Sequence, residues 1–219
     1  MMRMKSWKKV CLAAALCVPV ATGIAGFASS GADITPEPPH PAHWPSNTTV
    51  LPGDGKPTLL LFAHPFCECT EDTVRELQRI LADLGKRPLP AIRVLFFRPD
   101  NAGKPGAQTV WKPGESWRQA SRLPGVSVDW DDGGREIGKF QAGTSGLILL
   151  YSAGGNLLFE GGITTSTRHE GDLVAFPGLE GENYGAARLA RVLATGRPAT
   201  GKPSPVFGCA LGHRSSAGT

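Results

Sequence analysis

Residues 58–70 read TLLLFAHPFCECT, and this stretch decides the fold. After Thr58 the segment is continuously apolar as far as Ala63, which is typical of a buried strand. Cys67 and Cys69 follow, and behind them apolar side chains recur at helical spacing at Val74, Leu77, Ile80, Leu81 and Leu84. The helix is expected to have Glu71 and Asp72 in its first turn and to end at Gly85. The two cysteines therefore lie at a predicted strand-to-helix junction.

The rest of the chain predicts an α/β domain built outward from this junction. Residues 92–97 form a second buried strand, which we expect to run parallel to the first because a helix connects them. Further on, the pattern predicts short helices over 115–122 and near 135–140, a short strand over 126–128, and a hairpin of 146–151 with 157–159. A helix over 183–195 closes the domain, while 99–114 and 161–182 are expected to be loops.

The N-terminal residues predict export. The first nine residues carry four positive charges, and residues 10–28 are uncharged and apolar. Residues 1–32 are therefore expected to be a signal peptide or a membrane anchor. The positive-inside rule then places the remainder outside the cytoplasm, in the bacterial periplasm or at the outer face of the cytoplasmic membrane.

Length and charge restrict the remaining organisation. The 219 residues suit one domain with extensions: a Pro-rich linker over 33–57 that acts as an extended tether, a domain over 58–196 and a Cys-containing tail over 197–219. The net charge of +4 comes from the leader, since the other 19 basic residues equal the 19 acidic ones. A nucleic-acid partner is therefore not expected.

Three cysteines outside the leader carry the predicted chemistry. Amides at a helix N-terminus favour a thiolate at Cys67 or Cys69. A thiolate is the nucleophile of disulfide exchange and also a soft ligand for copper or zinc. Cys209 lies beyond the last predicted helix, where it could fold back as a resolving partner, complete a metal site, or be incidental.

Other side chains are candidates for tuning the thiolate or binding substrate. His64 could donate a hydrogen bond to a thiolate or ligate a metal, and Glu68 places a carboxylate between the two sulfurs. Residues 167–172 combine His169 with an arginine and two carboxylates, which suggests either a site on a loop or a solvated turn.

These motifs resemble the order of elements in thioredoxin-like proteins, over about residues 50–196. The chain is most similar to the RedB-type group of predicted periplasmic redoxins. The similarity lies in His-Pro-Phe-Cys-Glu-Cys at 64–69, Thr-Ser-Gly at 144–146, Gly-Gly-Ile-Thr at 161–164, His-Glu-Gly-Asp at 169–172 and Phe-Gly-Cys at 207–209. It is more distantly similar to the membrane-tethered thiol-disulfide proteins of cytochrome c maturation and to copper-delivering thioredoxin-like proteins. The resemblance implies a thioredoxin-like α/β fold, with a central mixed sheet flanked by helices and an N-terminal signal or anchor helix.

The chain departs from the thioredoxin pattern in two places. One residue separates Cys67 from Cys69 instead of two, so a disulfide between them would be more strained and more readily reduced. Thr144 and Ser145 occupy the place of the cis-proline loop, which in thioredoxins helps to dock the substrate backbone and keeps metal away from the cysteines. Metal binding therefore stays open.

The leading hypothesis is an extracytoplasmic thiol-disulfide oxidoreductase acting on protein thiols or disulfides, without a bound cofactor. Cys67 is the expected nucleophile at the solvent edge, and Cys69 or Cys209 would resolve the mixed disulfide. One alternative is a copper metallochaperone that uses Cys67, Cys69 and Cys209 with His64 or His169. A further alternative is a redox-inert thioredoxin-like interaction domain. If the leader is not cleaved, the membrane is also a partner.

Overall fold

The computed structural model describes residues 38–102, 104, 111–165 and 183–212. The predicted leader over 1–32 and the loop containing His169 lie outside these residues. Within the described part of the chain, no helix combines the length and hydrophobicity needed to cross a membrane.

A five-stranded mixed sheet forms the centre of the described unit. Its strands are β1 (Thr58–Ala63), β2 (Ala91–Arg98), β3 (Val126–Asp132), β4 (Ile148–Tyr151) and β5 (Leu157–Gly161), arranged in the order β3-β2-β1-β4-β5. β1, β2 and β3 are parallel, whereas β4 is antiparallel to both β1 and β5. All six residues of β1 are buried, as expected of a central strand that is covered on both faces. The predicted parallel pair and the hairpin are confirmed.

Within the described residues, four helices complete the pattern: α1 (Glu68–Asp83), α2 (Glu115–Ala120), α3 (Arg135–Lys139) and α4 (Tyr184–Thr195). The helix predicted to follow the cysteines is confirmed. It begins at Glu68, between the two cysteines, and therefore starts earlier than the sequence predicted. The strand predicted over 126–128 extends to Asp132, because its neighbour β2 continues to pair with it as far as Arg98.

Hydrophobic side chains of the sheet alternate between two cores. Leu59 and Leu61 of β1 pack with apolar residues of α1 and α4, whereas Leu60 and Phe62 point to the opposite face, which contains Ile137 of α3. This alternation is the period of two expected of a strand between two layers. The central mixed sheet with flanking helices fits the thioredoxin-like fold that the sequence predicts.

The segment before β1 differs from the predicted tether. The Trp44 ring packs edge-on against Phe140 and Tyr151, with ring centroids 5.2 and 5.3 Å apart. The Tyr151 hydroxyl donates to the Pro41 carbonyl oxygen at 2.9 Å. From about residue 40 onward, the Pro-rich segment therefore packs on the domain, because its apolar and carbonyl groups complete one of the two cores.

The described part of the tail also packs on the domain. The Ala199 amide donates to the Leu158 carbonyl at 2.7 Å, and the Ser204 hydroxyl donates to the Gly162 carbonyl at 2.7 Å. The tail thus follows the outer edge of β5 before it turns toward the end of β1, where the candidate site lies.

Candidate active site

Cys67 occupies the junction between β1 and α1. It is the N-cap residue of α1, with extended backbone angles (φ −101°, ψ 116°), and its carbonyl accepts the first helical hydrogen bond from the Thr70 amide at 3.0 Å. Its own amide donates to the His64 carbonyl at 3.1 Å, which closes a tight turn through Pro65. The sequence dictates this turn, since a proline just after a strand prevents the strand from continuing and favours a turn.

The Cys67 sulfur is surrounded by hydrogen-bond donors. It accepts hydrogen bonds from the thiols of Cys209 and Cys69, and the Cys209 amide donates to it at 3.3 Å. Cys67 is only 3% exposed, while Cys69 is half-buried and Cys209 is exposed. The expectation that Cys67 lies at the solvent edge is therefore wrong, because the tail lies over its sulfur. All three cysteines are free, and none of them forms a disulfide in the structure.

The hydrogen bonds assign one thiolate and two thiols. The Cys209 and Cys69 thiols, with help from the Cys209 and Thr70 amides, hold the pKa of Cys67 far below its ordinary value, despite burial that acts to raise it. The pKa values of Cys69 and Cys209 rise well above their ordinary values, because each thiol donates to Cys67 and each is partly desolvated. Of the three sulfurs, Cys67 is therefore the one that ionises most readily.

His64 lies beside this sulfur inside a cluster of aromatic rings. Its ring centroid is 5.8 Å from that of Phe66, 6.2 Å from Phe97 and 5.6 Å from Trp111. Burial lowers the pKa of His64, and this outweighs the opposite effect of the Cys67 charge. The Phe66 amide donates to Nδ1 of His64 at 3.3 Å, so the neutral ring carries its proton on Nε2. At neutral pH, His64 is therefore an uncharged ring within this aromatic cluster.

Ser145 ties the loop before β4 to the start of α1. Its Oγ accepts from the His64 amide at 2.9 Å and lies 2.7 Å from Oγ1 of Thr70, which in turn donates to the His64 carbonyl at 3.2 Å. These groups satisfy one another in a closed ring when Ser145 donates to Thr70. Because the side chains of Ser145 and Thr70 are fully buried, this ring of hydrogen bonds holds the loop against the start of α1.

The same loop pairs with the tail through backbone groups. The Ser145 amide donates to the Cys209 carbonyl at 2.8 Å, and Thr144 pairs with Ala210 in an antiparallel bridge. A Cβ added to Gly208 would overlap the Ser145 carbonyl oxygen, so the close approach of the two segments requires glycine. This pairing carries Cys209 to Cys67.

The structure therefore brings together Cys67, Cys69, Cys209, His64, Thr144 and Ser145. Glu68 is exposed in the first turn of α1, and its charge contributes to the raised pKa of Cys209. His169 lies outside the described residues. Among the residues that the structure describes, no three or more His, Cys, Asp or Glu side chains are arranged to hold a metal ion.

Three further residues of the site were not predicted from the sequence. Thr70 holds the loop, Trp111 packs on His64, and Gly208 permits the tail to pair. A tryptophan in a polar loop is a recognisable signal of a surface contact. Thr70 and Gly208 act through partners distant in sequence, and the Phe-Gly-Cys motif at 207–209 does not indicate which segment Gly208 approaches.

No protein-family model matches the chain, and no curated protein matches it either. Among solved structures, the chain is similar to an uncharacterized conserved protein from Geobacillus kaustophilus, with 17% identity and a TM-score of 0.50 over 74% of this chain and 80% of that one. A hypothetical protein from Sinorhizobium meliloti 1021 also has 17% identity, with a TM-score of 0.46 over 74% and 82% of the two chains. At this identity the likeness concerns the fold alone.

A third structure is described as a secreted Mycobacterium tuberculosis disulfide oxidoreductase homologous to E. coli DsbE. It has 17% identity and a TM-score of 0.35 over 48% of this chain and 67% of that chain. A likeness at this level does not bear on function.

Proposed function

We propose that this protein is an extracytoplasmic thiol-disulfide oxidoreductase whose nucleophile is Cys67. The single observation that carries the proposal is the Cys67 sulfur at the N-cap of α1, which accepts hydrogen bonds from two other thiols and a backbone amide. Donors of this kind stabilise a thiolate, and the thiolate is the reactive species in disulfide exchange.

The chemistry follows from this assignment. The Cys67 thiolate attacks one sulfur of a substrate disulfide, the S–S bond breaks, and the departing substrate sulfur leaves as a thiolate that takes up a proton. A second cysteine, Cys69 or Cys209, then loses its proton and attacks the Cys67 sulfur of the mixed disulfide, which releases the second substrate thiol. The two protein thiols are oxidised and the substrate disulfide is reduced. With an oxidised protein and a dithiol substrate, the same steps run in reverse.

The raised pKa values of Cys69 and Cys209 support their role as resolving thiols rather than nucleophiles. Both lose their hydrogen-bond acceptor once Cys67 becomes part of a mixed disulfide, because its sulfur is then neutral. The largest factor that raises their pKa values, the hydrogen bond to the Cys67 thiolate, is removed at that moment, and either thiol ionises more easily.

The compartment and the substrate class belong to the same proposal. The cationic, then apolar leader supports a location in the periplasm or at the outer face of the cytoplasmic membrane. The RedB-type resemblance supports protein thiols or disulfides as substrates. No bound cofactor is needed, because cysteine sulfur carries the electrons.

The test is the reduction of insulin by the full-length chain in the presence of a dithiol reductant. Turnover by the wild type and its loss in Cys67→Ser are expected, with Ser127→Ala as a control for an exposed hydroxyl. An inactive wild type, or a Cys67→Ser variant as active as the wild type, would contradict the proposal. An anaerobic titration with Cu(I) tests the copper alternative separately: binding that is lost in the Cys67→Ser, Cys69→Ser double variant would favour a metallochaperone.

A further inference from the structure

We infer that residues 207–211, which we call the tail strand, occupy in cis a binding site for an extended, cysteine-containing segment of a protein substrate. In this view the tail strand is a displaceable strap whose own Cys209 takes the place of a substrate cysteine. The inference rests on the proposed function, and it identifies both the substrate segment and the way in which the site is closed.

The contacts of the tail strand are those that a bound peptide would make. The Ser145 amide donates to the Cys209 carbonyl, and the Leu211 amide donates to the Gly143 carbonyl, both at 2.8 Å. Thr144 and Ala210 form an antiparallel bridge between these bonds. Because such bonds use only backbone groups, any extended peptide of matching direction can replace them.

The side chains of the tail strand place a cysteine at the reactive sulfur. Phe207 and Leu211 are 4% and 8% exposed, and both belong to the buried apolar set of the domain. Cys209 lies between them in sequence and is itself exposed. Its amide donates to the Cys67 sulfur. The arrangement is that of an extended peptide with apolar anchors on either side of a cysteine.

The position before that cysteine has a strict size limit. A Cβ on Gly208 would overlap the Ser145 carbonyl oxygen. Beside it, Gly146 has a positive φ of 94°, and a Cβ there would lie 3.2 Å from the Phe207 carbonyl oxygen. Two glycines thus bring the two backbones together. We therefore expect a substrate segment that binds here to carry glycine immediately before its cysteine.

Competition for one site links the two steps of the reaction. A substrate segment displaces the tail strand and forms the mixed disulfide with Cys67, while its other sulfur leaves as a thiol. When the tail strand returns, Cys209 attacks Cys67, and the Cys67–Cys209 disulfide replaces the Cys67–substrate disulfide. The returning strand removes the substrate backbone from Thr144 and Ser145 at the same time. An external dithiol then reduces the Cys67–Cys209 disulfide and resets the protein.

The test uses full-length, reduced protein and a synthetic peptide with the sequence of residues 205–211, PVFGCAL. The peptide cysteine is activated as a disulfide with thionitrobenzoate, so attack by Cys67 releases a coloured thiolate that reports the rate. Gly208→Ala should react about tenfold faster than the wild type, because the added methyl group displaces the tail strand. Lys202→Ala, at an exposed position of the tail outside the tail strand, is the control and should react at the wild-type rate.

Two comparisons separate peptide recognition from simple exposure of the sulfur. A small aromatic disulfide without a peptide backbone should gain less from Gly208→Ala than the peptide does. With a peptide that has alanine in place of its glycine, Gly208→Ala should react no faster than the wild type. Equal rates for the wild type and Gly208→Ala, or equal rates for the two peptides, would overturn the inference. Mass spectrometry should locate the peptide adduct on Cys67, and an adduct confined to Cys69 or Cys209 would also overturn it.

The experiment remains informative in two difficult cases. If Gly208→Ala does not fold, Leu211→Ala removes one anchor of the tail strand and should raise the peptide rate in the same direction. Because the peptide reaction is stoichiometric, it does not depend on insulin turnover. If the protein recognises the glycine peptide but does not reduce insulin, the proposed function is contradicted, whereas the inference about the tail strand is supported.

Discussion

At the scale of single residues, the low pKa of Cys67 depends on the hydrogen-bond donors that surround its sulfur atom. Burial alone would raise the pKa of Cys67, but the hydrogen bonds from the Cys209 and Cys69 thiols outweigh it. The helix dipole that the sequence suggested contributes through the N-cap position of Cys67. The reactive thiolate is therefore created jointly by the helix start and by a residue 142 positions away.

The first prediction concerns the ionisation of Cys67. Its lowered pKa means that the thiolate is already present at acidic pH, so alkylation by iodoacetamide should reach its plateau below about pH 7. In Cys209→Ala one donor is lost, the pKa of Cys67 rises, and the midpoint of alkylation should move to higher pH. Rates of Cys67 labelling, measured by mass spectrometry from pH 4 to 9, check this. A midpoint near that of a free cysteine in the wild type would contradict it.

The second prediction concerns the ring formed by Ser145, Thr70 and His64. Ser145→Ala leaves the His64 amide and the Thr70 hydroxyl without their partner, and it should lower the free energy of unfolding by about 1–3 kcal/mol. Urea denaturation measures the change. Ser127→Ala, whose hydroxyl donates to Asp129 at an exposed position, is the control and should change stability by less than about 0.5 kcal/mol. Equal effects of the two variants would show that the ring does not stabilise the loop.

At the scale of elements, two segments outside the predicted domain complete it. The N-terminal segment is held by Glu136 of α3, whose carboxylate accepts from the hydroxyls of Thr48 and Thr49 and from Lys139. Burial acts to raise the pKa of Glu136, but these hydrogen bonds lower it to about 2. The buried carboxylate thus links residues 48–49 to the face of the sheet opposite α1.

The third prediction follows from this carboxylate. Its pKa falls from the model-compound value of 4.5 to about 2 on folding, so its contribution is present above pH 4.5 and is lost as the pH falls toward 2. Glu136→Gln should lower the free energy of unfolding at pH 7 by about 2 kcal/mol and flatten its pH dependence between 4.5 and 2. Denaturation at several pH values checks this. Asp100→Asn, in an exposed ion pair with Arg135, should leave the profile unchanged, and a matching loss there would contradict the account.

The sequence predicted the elements with local signals and missed the contacts made by distant ones. The apolar run of β1, the helical spacing in α1 and the turn of the hairpin are all visible within a few residues. The packing of Trp44 on Tyr151 is not, because nothing near Trp44 indicates which surface covers it. The same holds for Cys209. The sequence predicted its role as a resolving cysteine or a metal ligand, but its backbone pairing with Ser145 depends on the path of the tail across the domain, which hydrophobic periodicity does not indicate.

At the scale of the whole molecule, the tail turns an open strand-to-helix junction into a covered site. It follows the edge of β5 through Ser204 and Gly162, and it then crosses to the loop before β4. Cys67 is only 3% exposed, yet its thiol is the most acidic of the three in the site. In the proposed reaction, a protein disulfide has to displace part of the tail before it can reach Cys67.

The central claim, that Cys67 is the sulfur that exchanges with a disulfide, is tested most directly by mapping disulfides after reaction with one. The reduced full-length chain is mixed with one equivalent of an oxidised peptide, quenched with acid, and digested for mass spectrometry. We expect Cys67 in every new disulfide, first bonded to the peptide and then to Cys209. New disulfides that exclude Cys67, with its thiol still free, would contradict the account.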